Sequence, residues 1–492
     1  MAPDTTPAMA SGTADDPRLV QIFQVSTLYG AATLAAALDA GQFGPREDAR
    51  RLLLISHNAE IPETALRLET MTGYERIAAR FDGTLDWNET IHPYHPAAWA
   101  PRPEESPLWQ RVLRTAWDLG SARVELIVES IQVNPAKALA ASFPESSVDV
   151  YADGLMSYGP TRSDLAQSIA IRVRRVLHLD LVPGLRPLLL SEYGVEPELV
   201  PDDAFRAVLA EIAEASRADE RTDGDGDAGR GAHTDTHTDT HPDTDSPIVR
   251  AIAAEPTALL LGQYLAALNL LTAEEEEELH VRMLRGAAAA GHGSVVFKPH
   301  PTAPVRYSQA LHEEAAELGV RLTVLDGPLL AETFYERCRP RLVVGCFSTA
   351  MLTAAVYYGI PIARVGTVEV LERLTPFENS NRIPLTVVDH LVADLEGGEE
   401  PAVPGTAPDS LAPLVRAVGY CMRHKSHPGL REEAARFLAE HHAEPGIAHH
   451  FGAQRLTQLG LPGADDAAAA EPAAAAAGTS RFRRGLARAR RA

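Results

Sequence analysis

Cysteine is nearly absent from this 492-residue chain: there are three, Cys338, Cys346 and Cys421. Three scattered thiols exclude a disulfide framework and a cysteine-built zinc site. They are expected to be buried free thiols in a reducing compartment. Aromatic residues make up only 6% of the chain. No apolar run reaches the roughly 20 residues that a bilayer span needs. Residues 1–16 are small, polar and acidic, unlike a signal peptide. Positive charge is in deficit, with 45 Lys and Arg against 67 Asp and Glu and a net charge of −22. Such a surface repels nucleic acid and anionic membrane. The expectation is a soluble, cytoplasmic protein with no nucleic-acid partner.

The length fits two or three domains. Residues 1–16 read as a disordered arm. Residues 206–247 read as a disordered linker, because DGDGDAGRGAHTDTHTDTHPDTDS is low-complexity and nearly free of apolar residues. Residues 461–492 read as an Ala-rich and then basic disordered tail. Between them lie two ordered blocks, 17–205 and 248–460. In the second block TALLLGQ, GSVVFKP, RLTVLD, RLVVGC and IPIARVG read as strands alternating with helices. Thr272, with Glu275 three residues on, is a capping-box pattern. In the first block RLVQIFQV, RRLLLIS, VELIVES and SSVDVYADG read as strands, with a helix after Ser26 and Thr27 and another opening at residue 62. Alternating strands and helices predict an α/β fold of two Rossmann-like, doubly wound parallel-sheet domains facing a cleft. In such sheets ligands sit beyond the carboxyl ends of the strands.

Three strand ends carry unusual polar residues. Asp153, in TyrAlaAspGly, can act as a general base for an acceptor hydroxyl; read alone, an Asp-Gly pair is more often a turn. His300 sits between two prolines, which fix the backbone and remove competing donors. A protonated imidazole there can bind a phosphate or protonate a leaving group, with Lys298 adding charge. Ser348 and Thr349 open a helix, where they can cap it or present hydroxyls and N–H groups to an anion. A base in one domain facing an anion grip in the other is the layout of a nucleotide-sugar transferase.

These motifs resemble those of bacterial sialyltransferases with the two-Rossmann GT-B fold, and in particular the polysialyltransferase-like group. That group carries an acidic-acidic-Gly motif, a His-Pro motif and a Ser-Ser/Thr motif, in that order. Here they stand as AlaAspGly at 152–154, HisPro at 300–301 and SerThr at 348–349, with Ala152 departing from the pattern. The resemblance, over roughly residues 18–450, implies an inverting transfer of a sialic-acid-like nonulosonate from a CMP-activated donor to a glycan hydroxyl. It implies Asp153 as the base. His300 would hold and partly protonate the departing phosphate, and Ser348 and Thr349 would hydrogen-bond it. It also implies no cofactor and no metal. The DxD-like stretches, Asp223 to Asp227 and Asp243 to Asp245, fall in the predicted linker.

Secondary candidates are weaker. Glu332 can reach the ribose of the nucleotide or be a solvated helix glutamate. Glu378 and Arg382 can line the nucleotide pocket or a cleft-rim loop. Ser26 and Thr27 can contact substrate or cap a helix, and His92 and His95 can line an acceptor groove. The repeat with His233, His237 and His241 reads as linker rather than as a metal site. The basic tail can touch anionic lipid, which would make the protein peripheral at the inner face of the membrane. Two other readings stand beside the first. One is a CDP-glycerol-type glycerophosphotransferase, which would need a second histidine as base in the first block. The other is a GT-B protein that binds nucleotide or glycan without turnover, suggested by Ala152.

Overall fold

The computed structural model describes residues 19–59, 66–225, 248, 251, 255–300, 306–327 and 329–464. Two parallel sheets organise the chain. The first contains β1 (Leu19–Val25), β2 (Arg50–Ile55), β3 (Gly83–Asp86), β4 (Arg123–Val128), β5 (Ser147–Ala152), β6 (Val173–His178) and β7 (Glu196–Leu199), in the order β3-β2-β1-β4-β5-β6-β7. The second contains β8 (Ala258–Leu261), β9 (Ser294–Lys298), β10 (Arg321–Val324), β11 (Leu342–Gly345), β12 (Ile362–Arg364) and β13 (Ala393–Asp394), in the order β10-β9-β8-β11-β12-β13. Helices cover both faces, so the central strands are continuous apolar runs. Leu52, Leu53 and Leu54 in β2 are all buried, as are Leu342, Val343 and Val344 in β11.

In each sheet the chain steps to opposite sides of its first strand, so the order reverses beside β1 and beside β8. The carboxyl ends of β1 and β4, and of β8 and β11, therefore flank crevices in which a ligand can sit. The helix Leu28–Asp39 follows β1 and is capped by Thr27, whose Oγ1 accepts the Gly30 N–H at 3.0 Å. Its small residues Ala31, Ala32, Ala35, Ala36 and Ala37 are buried, which lets it lie close to the sheet. The helix Ala273–Ala289 begins with the expected capping box: Thr272 Oγ1 accepts the Glu275 N–H and Glu275 accepts the Thr272 N–H.

One boundary needs correction. Residues 206–225, expected as the first part of a disordered linker, lie in the helix Asp202–Asp225. Phe205, Val208, Leu209, Ile212 and Ala213 are buried along one face, at the i, i+3, i+4 spacing of an amphipathic helix. The helix packs on the helix Leu28–Asp39 of the first domain and the helix Ala331–Cys338 of the second. The ring of Phe205 lies 5.4 Å from Tyr29 and 5.3 Å from Tyr357, so it joins the two domains. The polar composition after residue 216 hid this short apolar pattern. The arm 1–16, the linker residues 226–247, the helix expected at 62 and the tail beyond 464 lie outside the described residues. Among the described residues, no helix is long and apolar enough to cross a membrane.

Candidate active site

Six strand ends feed one interdomain cleft of about 620 Å³. From the first domain come Thr27 after β1, Glu129 and Ser130 after β4, and Asp153 after β5. From the second come Gly262, Gln263 and Tyr264 after β8, His300 after β9, and Phe347, Ser348 and Thr349 after β11. The described residues of the three quoted motifs, far apart in the chain, thus line one space.

Asp153 directly follows Ala152, the last residue of β5. The glycine beside it does not make a left-handed turn, since Gly154 has an extended φ of −136°. What requires glycine is close approach: a Cβ at 154 would lie 3.1 Å from Thr349 Oγ1 across the cleft. Asp153 is pushed up to about 7, by desolvation in the cleft first and by the like charge of Glu129 second. Glu129 belongs to none of the three motifs. Its one signal in the sequence is that it closes the apolar run of VELIVES, itself a strand end. Its carboxylate accepts from Ser26 Oγ at 2.5 Å, and its backbone N–H donates to Gln24 Oε1 at 3.1 Å. Desolvation pushes it above the usual carboxylate range as well.

On the opposite wall, His300 stacks on Tyr264 with ring centroids 5.0 Å apart and planes 13° from parallel. Glu276 accepts the backbone N–H groups of Leu265 and Ala266 at 2.8 and 3.0 Å, which fixes the loop carrying Tyr264. Desolvation, then the nearby Lys298 charge, hold His300 below its ordinary value. Both disfavour the imidazolium. Ser348 occupies the N-cap position of the helix Thr349–Tyr358, yet its hydroxyl makes no capping bond. Gln263 Oε1 accepts the Phe347 N–H at 2.9 Å, tying the β11 turn to the β8 loop. Hydroxyls and a helix N-terminus thus face the cleft, as an anion site requires.

The other candidates separate from this group. Lys298 is 9% exposed and does not line the cleft; desolvation lowers its proton affinity, opposed by Glu332 and Asp326. Glu332 is not a solvated helix glutamate: it is 3% exposed and pushed up to about 7 by desolvation. Arg382 is buried, donates to the carbonyls of Phe377 and Leu374 at 2.9 Å each, and stacks on the Phe377 ring. Glu378 pairs with Arg455 at 2.8 Å. None of Glu332, Glu378 and Arg382 lines the cleft; Ser380, Asn381 and Pro384 do. Ser26 holds Glu129, and Thr27 caps its helix while also lining the cleft. His92 and His95 line a separate cavity of about 700 Å³ with His57, Arg67 and Tyr94.

A family model of alpha-2,8-polysialyltransferases matches residues 21–367. The chain belongs to the alpha-2,8-polysialyltransferase family. This polysialyltransferase-family chain is thus a sialyltransferase-like glycosyltransferase, built on a two-domain GT-B-type fold. No curated protein matches it significantly. Among solved structures it is similar to MurG from Acinetobacter baumannii, at 11% identity and TM-score 0.36, covering 88% of this chain and 98% of that one. It is also similar to a UGT transferase from Siraitia grosvenorii in complex with UDP, at 12% identity and TM-score 0.36, covering 86% and 99%. A putative UDP-N-acetylglucosamine 2-epimerase from Listeria monocytogenes gives 13% identity and TM-score 0.35, covering 83% and 97%. Likenesses this distant carry no property over to the polysialyltransferase-family chain.

Proposed function

We propose that this chain transfers a sialic-acid-like nonulosonate, with inversion, from a CMP-activated donor to a glycan hydroxyl. The observation that carries the reading is the meeting of Asp153 with His300, Ser348 and Thr349 around one cleft. Asp153 takes the proton of the acceptor hydroxyl as its oxygen bonds the anomeric carbon. The bond from that carbon to the CMP phosphate breaks, and its electron pair leaves with the phosphate. Ser348, Thr349 and the free N–H groups of their helix hold that phosphate. The incoming anion draws a proton onto His300, which then stands ready to protonate the leaving group. No protein-bound metal or cofactor is required by these steps. Glycan acceptor and nucleotide-sugar donor are the expected partners.

The glycerophosphotransferase reading asks for a histidine base on the first-domain wall. Among the described residues that line the cleft, His300 of the second domain is the one histidine. Calorimetric titration with CMP, CDP and UDP tests the reading. Preference for CMP supports it, preference for CDP favours glycerophosphate transfer, and no binding favours a protein without turnover.

A further inference from the structure

Two carboxylates share the floor of the cleft, and the reaction as derived uses one. β4 and β5 are parallel neighbours with Val128 opposite Val150. Carrying that register on by one residue sets Glu129 beside Tyr151, and Asp153 follows Tyr151 on the same face. The local contacts agree. Glu129 is held by Ser26 Oγ at 2.5 Å and by Gln24, and Tyr151 donates to the Gln24 carbonyl at 3.2 Å. A Cβ on Gly30 would lie 2.9 Å from the Tyr151 hydroxyl and 3.2 Å from Asp153 Oδ2. Glu129, Tyr151 and Asp153 therefore form one cluster against the N-terminus of the helix Leu28–Asp39.

The groups that face this cluster are few. Tyr29 on the helix and Tyr151 on β5 are both held well above their ordinary range by burial, so both stay neutral. Thr349 approaches from the second domain. Arg162 and His300 are the basic side chains among the described residues lining the cleft. What acts on Glu129 and Asp153 is burial first, then hydrogen bonding and, on Asp153, the Glu129 charge. Two carboxylates at close quarters in a desolvated site cannot both ionise cheaply.

We propose that Glu129 and Asp153 work as one unit holding a single proton between them, with Glu129 the positioning residue that keeps Asp153 a strong base. The inference rests on the transferase reading for its catalytic meaning, but the pair itself does not. Below about pH 7 the shared proton rests on Asp153 and blocks the base; above it Asp153 is ionised beside the Glu129 carboxylate, whose like charge raises its basicity. The acceptor's proton then goes to Asp153, and the pair again holds one proton as the phosphate departs. An aspartate without such a neighbour would keep only the part of its basicity that burial supplies.

The test is the pH dependence of kcat/KM for CMP release, measured on the full chain. The wild type is expected to lose activity on acidification with a midpoint near neutrality. Glu129→Gln should move that midpoint down by at least about one pH unit, with a lower plateau and unchanged CMP affinity. Glu129→Asp, which restores the charge, should move it back toward the wild-type value. An unchanged midpoint in Glu129→Gln overturns the proposal. Infrared difference spectra of the ligand-free protein separate the pair from the transferase reading. A protonated carboxyl band at pH 6 that loses intensity in Glu129→Gln, leaving the share of buried Glu332, supports the pair even where no CMP donor turns over. A spectrum that Glu129→Gln leaves unchanged overturns the pair whether or not transfer is observed.

Discussion

A neutral His300 becomes useful when an anion arrives. Its proton affinity is lowered by desolvation and by Lys298, and a bound phosphate acts in the opposite direction. CMP binding at pH 7 is therefore expected to take up protons. Calorimetry in buffers of different ionisation heats reads this directly, and His300→Ala should reduce the uptake and weaken CMP binding. Asp153 makes a second prediction. Its folded value of about 7 lies above the ordinary 3.8, so the folded state binds more protons than the unfolded chain between those values. Stability from this group is thus lost as pH rises from about 4 to about 7 and stays lost above. Asp153→Asn should raise the melting temperature by about 2–4 °C at pH 8 and by less at pH 5. Equal shifts at both pH values would show that the carboxylate is not held in its neutral form. Asp153, His300, Ser348 and Thr349 were legible as cleft-lining residues because each is a polar motif at the end of an apolar run. Glu129 was not, because one glutamate closing a strand looks like any other until the strand order is known.

Strand ends and helices carry the next level. Gly154 lets the β5 end meet the helix Thr349–Tyr358, and a Cβ there would have to shift Thr349 Oγ1 by a few tenths of an ångström. Gly154→Ala should lower CMP release by about a few-fold, because the hydroxyl is moved from its place at the phosphate. The melting temperature should stay within a few degrees; steady-state kinetics beside a thermal melt checks both. The helix Asp202–Asp225 makes the other prediction. Phe205 is fully buried between Tyr29 and Tyr357, so Phe205→Ala should cost about 3–5 kcal/mol. Denaturant unfolding reads the loss. The strongly apolar strands were legible as strands, whereas β3, β6, β7 and β13 were not; two adjacent arginines, Arg174 and Arg175, break the apolar run of β6. β3, β7 and β13 are short, half-buried edge segments without a clear alternation.

At the scale of the whole molecule, two sheets with reversed order place six strand ends on one cleft. The rhythm of strands and helices was enough to read the two domains, because parallel sheets covered on both faces leave an apolar signature. How the domains meet was not legible. It depends on Phe205, on the Tyr29 hydroxyl 3.1 Å from Thr353 Oγ1, and on Arg423 pairing with Asp164 at 2.6 Å, none of which has a sequence signature. The central claim is that Asp153, facing the His300 wall across this cleft, is the base of a CMP-sugar transferase. The most direct measurement is CMP release from a CMP-activated nonulosonate by the wild type and by Asp153→Asn, with CMP affinity measured alongside. The account predicts a loss of roughly 100- to 10,000-fold with CMP affinity nearly intact. An Asp153→Asn variant that keeps more than about a third of the wild-type rate would contradict it, since a general base contributes far more than that.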